Sequence, residues 1–280
     1  MGPAPVIEPG ASVFDVPLVC LDTETTGIHP SSRLLEVGAV KSVGGAVEDE
    51  FEAFCDPGCL VPPDATEVHG LTSADLEGAP AAPEMLQAFF EWAGDAVFVA
   101  HHAPFDVGII AFELARADLR PPEGQVLDTS LIPRKIFPLL SYSLGSLVEH
   151  LDLPRSPQDH RALPDAFHVF HVLHACFDAC SEPPTLAHVL DLNGTPLTFR
   201  GYSVPPPEVP DALMCLEEAR LEERDVAITY GEEKANALAV RVRPQFIYRD
   251  RGHDWLEGRS EASGLVETWR LDRIISAEPR

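Results

Sequence analysis

Residues 18–27 read Leu-Val-Cys-Leu-Asp-Thr-Glu-Thr-Thr-Gly, a short apolar run followed by two acids. Its apolar start is typical of a short strand that is buried on both faces. Asp22 and Glu24 follow at the end of that strand, and because side chains alternate along a strand, both carboxylates point to the same face of the sheet. Such a pair alone is usually an exposed edge pair, but neighbouring acids repel each other unless cations neutralise them. The stretch therefore indicates a candidate cation site.

Two further acids occupy comparable positions later in the chain. Asp106 follows a second buried apolar run, residues 97–100, at the start of a predicted helix. Asp165 comes directly after Pro164, and because proline favours the first helical position, we expect Asp165 to open a helix over 165–177. Three element ends can thus bring four carboxylates together, which is a suitable cage for two hard divalent cations.

His160 lies five residues before Asp165. On one continuous helix this separation is about 500°, which would place the two side chains about 140° apart. If both residues serve one site, His160 must therefore lie in the loop before the helix. A loop histidine is ordinarily solvated and idle, but an imidazole has a pKa near neutrality that suits a general base acting on water.

The rest of the first 180 residues alternates strands with helices. The apolar runs at 34–43 and 47–54 are separated by Gly44-Gly45, which indicates a hairpin. Strands that alternate with helices predict an α/β fold, in which helices pack on a mixed sheet. The remaining predicted elements are helices over 83–93, 105–117 and 144–151 and a short strand at 126–127.

Composition divides the chain into four segments. Residues 1–16 are rich in Pro and Gly and are expected to form a flexible tail, and residues 17–180 carry the α/β pattern. Seven prolines within 181–210 predict an extended linker. One helix and several short strands then favour a small β-barrel domain over 211–280. These elements are expected at 212–223, 226–230, 237–242, 245–248, 255–258 and 266–271.

The net charge is strongly negative. The chain has 45 Asp and Glu against 20 Lys and Arg, a formal net charge of −25 at pH 7. Such a protein lacks the basic face that coats duplex nucleic acid, but an enzyme that holds cations and contacts only a strand end is compatible with this charge. The sequence shows neither a secretory signal nor a run of about 20 apolar residues that would span a membrane. We therefore expect a cytoplasmic protein without membrane contact.

Four segments resemble, in order, the motifs of the DEDDh branch of the DEDD exonuclease superfamily. Asp22–Gly27 and Glu36–Val40 are similar to the first motif, His101–Asp106 to the second, and His160–Asp165 to the third. The branch includes the proofreading exonuclease subunit of bacterial DNA polymerase III. The similarity spans residues 17–180 and implies an RNase H-like fold, a mixed β-sheet with flanking helices.

The resemblance also implies a mechanism. Asp22, Glu24, Asp106 and Asp165 would hold two divalent metal ions, Mg²⁺ or Mn²⁺, and His160 would accept the proton of the attacking water. The enzyme would remove nucleotides from the 3′ ends of single-stranded DNA or RNA and release nucleoside 5′-monophosphates. This activity fits DNA repair and related nucleic-acid processing.

Six positions of the same resemblance would bind the substrate. Thr25, Thr26, Gly27, His69 and Phe105 would hold the 3′-terminal nucleotide. The sixth, His102, stands where the family usually has Asn, and an imidazole replaces only part of the hydrogen bonding of an amide. This departure puts substrate positioning, rather than metal binding, in question.

The C-terminal segment is similar to a WYL domain over residues 211–279. The similarity includes Leu216–Ala219, Asp254–Leu256 and Trp269–Ile274, although only Trp and Leu of the Trp-Tyr-Leu tripeptide are present. It implies a small Sm-like or SH3-like barrel that binds nucleic acid or a small ligand. Four arginines form a local basic group, for which a solvated strand face is the default interpretation and an anion or nucleic-acid site the alternative. They are Arg241, Arg243, Arg249 and Arg251.

Other interpretations stay open. One is a regulatory protein with a catalytically weak or inactive nuclease fold, which binds nucleic acid or a nucleotide through its WYL-like domain; His102 favours it. Cys55-x-x-x-Cys59 and Cys176-x-x-x-Cys180 have a spacing that permits zinc, but a buried thiol also serves as a small apolar residue. The sequence does not distinguish DNA from RNA, or a monomer from a homodimer.

Overall fold

The computed structural model describes residues 10–29, 31–155, 160–194, 197–202, 204–232 and 236–279. These residues form two compact units. The first unit comprises the described residues up to Pro57 together with Val61–Tyr202, and the second comprises Gly58–Leu60 together with those from residue 204 onward. Among them, no helix has the length and the apolar character needed to cross a membrane.

The first unit is built on one mixed sheet. Its strands are β1 (Leu18–Thr25), β2 (Leu34–Val43), β3 (Ala46–Phe54), β4 (Val97–Ala100), β5 (Gln125–Asp128) and β6 (Leu197–Thr198). They lie in the order β3-β2-β1-β4-β5-β6. The β1 strand runs antiparallel to β2 and parallel to β4. This arrangement confirms the predicted α/β class.

Helices cover both faces of this sheet. They are α1 (Pro63–His69), α2 (Ala82–Ala93), α3 (Pro104–Arg116), α4 (Pro133–Ile136), α5 (Leu144–His150), α6 (Ala162–Asp178) and α7 (Leu186–Asn193). Because side chains alternate, β1 directs Leu21 into a core with α2 and α3, and Cys20 into a second core with α6. Asp22 and Glu24 continue the series of Cys20 and therefore face α6, whereas Thr23 faces α3.

Gly38 allows α6 to lie close to β2. A Cβ at Gly38 would lie 2.0 Å from the backbone nitrogen of Leu163 and 2.1 Å from the carbonyl carbon of Ala162, so no larger residue fits there. Gly38 is the ladder partner of Asp22. The close approach therefore delivers Asp165, on α6, to the acidic end of β1.

The second unit is a small antiparallel sheet with one helix. Its elements are α8 (Cys215–Leu221), β7 (Val226–Tyr230), β8 (Leu238–Asp250), β9 (His253–Ser260), β10 (Val266–Arg270) and β11 (Ile274–Pro279). The strands lie in the order β10-β9-β8-β7-β11, and all four pairings are antiparallel. Leu216 of α8 packs into a core with Ile228, Leu256 and Trp269. This unit confirms the predicted small β domain.

The tail predicted over 1–16 is only partly irregular. Residues 1–9 lie outside the described residues. Beyond them, Val13–Asp15 form a 3₁₀ turn, and Val13 and Val16 are buried in the core that contains α6. The prediction is therefore wrong for this part, because two apolar side chains anchor the segment to the first unit.

The linker predicted over 181–210 is wrong for its first half. The Thr185 hydroxyl accepts a hydrogen bond from the backbone N–H of His188 and caps α7. Leu186 and Val189 of that helix are buried in the core, and β6 then pairs with β5. The prolines flank these elements instead of keeping the chain extended.

Two other predicted boundaries differ from the structure. The α6 helix begins at Ala162, so Asp165 does not open it. The strands predicted at 237–242 and 245–248 are one strand, β8, whose pairing with β9 shifts register between Pro244 and Phe246. A proline lacks the N–H that a ladder needs, and a local irregularity of this kind accommodates it within a strand.

Candidate active site

Three carboxylates meet at the end of β1. Oxygen atoms of Asp22, Glu24 and Asp165 all lie within 4.8 Å of one another. The strand alternation of β1 supplies the first two, and the close approach of α6 at Gly38 supplies the third. These three residues, the carboxylate cluster, can offer several oxygen ligands to one small volume.

The carboxylate cluster concentrates negative charge. Burial raises the pKa of Asp22 well above its usual value, and the charges of Asp106 and Glu24 raise it further. Burial, followed by Glu36, likewise raises the pKa of Glu24 to about 8, although Arg161 opposes this shift. Within the described residues, no Lys or Arg forms an ion pair with the carboxylate cluster.

These observations fit a divalent cation. An opposite charge at short range favours the ionised form of a carboxylate, so a bound cation would reverse the raised pKa values. Carboxylate oxygens are also the ligands that hard cations such as Mg²⁺ and Mn²⁺ prefer. The donor set therefore matches the predicted cofactor class.

Asp106 is not part of this cluster. It is 2% exposed, and its Oδ1 accepts a hydrogen bond of 2.7 Å from the Thr23 hydroxyl. Thr23 faces α3, which carries Asp106 in its first turn. Burial raises the pKa of Asp106, although the hydrogen bond from Thr23 lowers it. Three of the four predicted acids thus lie within 4.8 Å of one another, the charge of Asp106 acts on Asp22, and ligation by Asp106 stays a prediction.

His160 lies in the loop before α6, as its distance from Asp165 predicts. Its side chain is exposed and its φ is +62°, in the left-handed region. Asp165 faces the site from α6, where its Oδ1 lies 3.1 Å from Nδ1 of the buried His168. Sequence reasoning missed this contact, although a histidine three residues after an acid lies on the same helix face.

Arg161 and Glu36 form a second contact that sequence reasoning missed. Both nitrogens of the guanidinium edge lie 3.0 Å from Glu36 oxygens, Nε from Oε2 and Nη2 from Oε1. Glu36 is completely buried on β2. Both residues lie inside motifs of the resemblance, but the sequence contains no sign that they pair.

The predicted substrate-binding loop is held by hydrogen bonds. The Thr25 hydroxyl donates to the carbonyl of Gly27 at 2.6 Å. The backbone N–H of Thr26 donates to the carbonyl of Arg33 at 2.9 Å, and the N–H of Arg33 donates to the Thr26 hydroxyl at 2.9 Å. Arg33 is in turn paired with Glu113, a residue of α3 that is 1% exposed. The loop therefore keeps a defined shape at the end of β1.

The other predicted substrate residues have different environments. His69 is 5% exposed, and its Nδ1 accepts a hydrogen bond from the backbone N–H of Leu71. Burial lowers its pKa, which favours a neutral ring. Phe105 is partly buried and packs on the core that contains α3. Substrate contact by either residue stays a prediction.

His102 has a backbone conformation that explains its relation to the usual Asn. Its φ is +57°, a region in which Asn and His are enriched several-fold among non-glycine residues. The backbone N–H of His102 donates to Oδ1 of the buried Asp128 at 3.0 Å. The side chain itself is exposed. The backbone conformation of His102 is therefore one that Asn also adopts readily, and the imidazole that stands in place of the usual amide is exposed.

Asn193 extends this network from the segment predicted as a linker. Its Oδ1 accepts a hydrogen bond of 2.7 Å from the backbone N–H of Asp128. The Asp128 carboxylate also accepts from the backbone N–H of Ser130 at 2.7 Å. Asp128 thereby joins α7 to the second motif through His102, a role that no local sequence pattern indicates.

In the second unit, acids pair with the predicted basic residues. Arg241 pairs with Glu261, Arg243 with Asp225, and Arg249 with Glu208 and Asp254, at distances from 2.8 to 3.0 Å. We call these three arginines together with Arg251 the arginine cluster. Its pairing favours the solvated strand face over an anion site.

The cysteines proposed as zinc half-sites lie in different environments. The Cys55 thiol donates to the carbonyl of Leu34, and Cys176 is buried in the core that contains α6. Burial raises the pKa of both thiols. A raised pKa disfavours the thiolate that zinc requires.

Comparison with protein families separates the chain into two matched regions. The model described as "Exonuclease" (RNase_T) matches residues 19–173, and the model described as "WYL domain" matches residues 211–279. The first match lies within the region that resembles a DEDDh exonuclease, and the second covers the region that resembles a WYL domain.

Curated relatives match the first region. A Mycobacterium tuberculosis protein named as a bifunctional exonuclease/endonuclease is 36% identical over 177 residues, which are 60% of this chain and 27% of that protein. A PolC-type DNA polymerase III from Clostridium perfringens is 34% identical over 182 residues, 64% of this chain and 12% of its own length. The chain thus spans between about an eighth and about a quarter of the lengths of these relatives.

Solved structures share the fold. Exonuclease X in complex with 5′-overhanging duplex DNA has a TM-score of 0.53 at 23% identity and covers 63% of this chain and 99% of its own. The E. coli exonuclease I complex with single-stranded DNA has a TM-score of 0.53 at 13% identity and covers 86% and 54%. At these identities the likeness concerns the fold alone, which is the predicted RNase H-like one.

Proposed function

The chain belongs to the exonuclease family, and from this premise we propose that it is a metal-dependent 3′→5′ exonuclease acting on single-stranded nucleic-acid ends. One observation carries the proposal. Oxygen atoms of three carboxylates lie within 4.8 Å of one another, and among the described residues no Lys or Arg forms an ion pair with them. One of the three is on α6, and His160 lies just before that helix. This arrangement has the acids and the candidate base that phosphodiester hydrolysis requires.

We assign the metal ions to the carboxylate cluster. Asp22, Glu24 and Asp165 would hold two divalent ions, Mg²⁺ or Mn²⁺, with Asp106 as the fourth acid from α3. When bound, the ions would lower the pKa of the attacking water and offset the negative charge of the phosphodiester. The acids would determine where the ions bind, because Asp22 and Glu24 are held by β1 and Asp165 by α6.

His160 is the proposed general base. It would accept the proton of the attacking water, after which the water oxygen bonds to phosphorus and the 3′-oxygen of the preceding nucleotide leaves. The product is a nucleoside 5′-monophosphate. The exposed side chain and the loop position of His160 support this role, since a base must reach the substrate and then release the proton to solvent.

The proposed substrate is a single-stranded 3′ end. The solved complex of exonuclease I contains single-stranded DNA, and the net charge of −25 disfavours extended contact with a duplex. The loop at Thr25–Gly27, with His69 and Phe105, would hold the terminal nucleotide. The WYL domain stays a proposed site for nucleic acid or a small ligand, and a homodimer and a cytoplasmic location stay predictions.

The test uses single-stranded oligonucleotides, as DNA and as RNA, labelled at the 5′ end. With Mn²⁺ we expect a ladder that shortens from the 3′ end, and with EDTA or in Asp22→Ala we expect none. A matched strand labelled at the 3′ end should release its label first, as a mononucleotide. Internal cuts, release from the 5′ end, or equal activity in Asp22→Ala would contradict the proposal.

A further inference from the structure

We infer that Arg161 is a positioning residue for the general base, which it holds in place through its clamp on Glu36. Arg161 directly follows His160 and is the N-cap residue of α6, immediately before Ala162. The inference rests on the proposed function, because it takes His160 as the base. It adds a residue whose role in the reaction is to fix the loop that carries this base.

The clamp has a defined geometry. Nε and Nη2 of Arg161 each lie 3.0 Å from a different oxygen of Glu36. Two parallel hydrogen bonds of this kind fix both the position and the plane of the guanidinium. Glu36 is completely buried on β2, a strand that is paired on both sides, so the fixed end of the clamp lies within the sheet.

Further contacts hold the same residue. The guanidinium lies over the ring of Phe54, with 5.3 Å to the ring centroid, and its Nη2 lies 3.7 Å from Glu52. Glu36 Oε2 also accepts the backbone N–H of Ala162 at 3.4 Å. Arg161 has no capping hydrogen bond of its own. The Glu36 carboxylate therefore takes the place of a helix cap at the start of α6.

The clamp connects the base to the carboxylate cluster. Glu36 is the ladder partner of Glu24 across β1 and β2. A continuous path thus runs from Glu24 through Glu36 and Arg161 to the backbone of His160. Adjacent Cα atoms are about 3.8 Å apart, so fixing Arg161 leaves His160 little freedom beyond its own backbone and side-chain rotations.

His160 has the backbone conformation that such a clamp explains. Its φ of +62° lies in a sparsely populated region, which a residue keeps only when its surroundings hold it there. The clamp fixes Arg161, the residue that follows His160, and so restrains the His160 backbone from its C-terminal side. Without it, we expect His160 to sample other conformations, so that the proposed base would lose its fixed position.

The experiment must separate positioning from stability. Arg161→Met alone would leave the buried Glu36 charge unpaired and could unfold the chain. The main variant is therefore Glu36→Gln with Arg161→Met, which removes both charges. Arg161→Lys keeps the charge but loses the fork. Arg200→Met is the matched control, since Arg200 forms an exposed ion pair with Glu123 in the same unit. Each is made in the wild-type chain and in His160→Ala.

The readouts are kcat and KM on a single-stranded oligonucleotide with Mn²⁺, together with the affinity for Mn²⁺. In the wild-type background we expect the double variant to lose about a hundredfold in kcat, because a misplaced base costs that much. KM and the Mn²⁺ affinity should change less than about threefold. In the His160→Ala background the same substitutions should cost less than about threefold. In the wild-type background the kcat of Arg161→Lys should lie between those of the wild type and the double variant. Arg200→Met should have the kcat of the chain into which it is introduced.

The pH profile gives an independent readout. For the wild type, kcat should rise with pH and then reach a plateau, as expected when a general base must be deprotonated. The His160→Ala variant and the Glu36→Gln/Arg161→Met variant should both lack this plateau, and their pH profiles should resemble each other. An equal fold-loss in both backgrounds, or an unchanged kcat in the double variant, would overturn the inference. An inactive wild-type chain would instead overturn the proposed function, and the inference with it.

Discussion

The carboxylate cluster and the arginine cluster are each made of side chains of like charge, yet their surroundings differ. Among the described residues, no Lys or Arg pairs with Asp22 or Glu24, whereas Arg241 and Arg243 each have an acidic partner within 3.0 Å. Like charges without partners are costly unless a ligand compensates them. The presence or absence of partners, more than the number of charges, therefore separates a candidate site from a satisfied surface.

The largest effect is expected in the carboxylate cluster, where no Lys or Arg among the described residues pairs with the acids. Asp165→Asn removes one oxygen ligand from the carboxylate cluster, and we expect activity to fall on the order of a thousandfold. The melting temperature should stay equal or rise, because a mutual repulsion is removed. Asp191→Asn, an exposed acid of α7, is the control. If Asp165→Asn kept a third of the activity, Asp165 would not be a metal ligand.

A smaller effect is expected where partners compensate a buried acid. Glu113 is 1% exposed and contacts Arg33 and Arg116. Glu113→Gln removes the buried negative charge that both cations contact, so we expect the free energy of unfolding to drop by about 3 kcal/mol at pH 7. Urea denaturation measures it, with the exposed Glu77→Gln as control. A variant as stable as the wild type would show that this ion pair contributes nothing.

The same variant has a defined pH dependence. Burial alone would raise the pKa of Glu113, but the charges of Arg116 and Arg33 outweigh it and hold the pKa below its usual value. A carboxyl with a lowered folded-state pKa contributes stability above its unfolded pKa of about 4.3 and loses it as the pH falls further. The difference in stability between wild type and Glu113→Gln should therefore be full at pH 7 and shrink below pH 4.

The smallest effect is expected in the arginine cluster. Because acids already satisfy Arg241 and Arg243, replacing both with Met should change the affinity for a single-stranded oligonucleotide less than about twofold. The dependence of affinity on salt should stay the same. A slope lower by about two, with a clear loss of affinity, would show that these arginines contact phosphates.

Local periodicity predicted the parts of the site that local geometry determines. Side-chain alternation placed Asp22 and Glu24 on one face, and the helical angle between His160 and Asp165 placed His160 in the preceding loop. Both expectations match the structure. These inferences needed only the geometry of one strand and one helix.

Tertiary contacts determine what the sequence reasoning missed. The start of α6 lies at Ala162 because Glu36, from β2, binds Arg161 and the Ala162 backbone. Pro164 predicted that this helix starts later, at Asp165. Local sequence patterns do not include the contribution of Glu36, which is 125 residues from Arg161 in the chain. In the same way, the prolines near Asn193 predicted a linker where the structure has α7. Its buried face and the hydrogen bond between Asn193 and Asp128 stabilise this helix.

Mn²⁺ binding, measured by titration calorimetry or by electron paramagnetic resonance, tests whether the carboxylate cluster is the metal site. We expect saturable binding of two Mn²⁺ ions to the wild-type chain, loss of that binding in Asp22→Ala, and unchanged binding when Arg241 and Arg243 are replaced with Met. Absence of saturable binding, or equal binding by Asp22→Ala, would contradict the claim that the carboxylate cluster is the metal site.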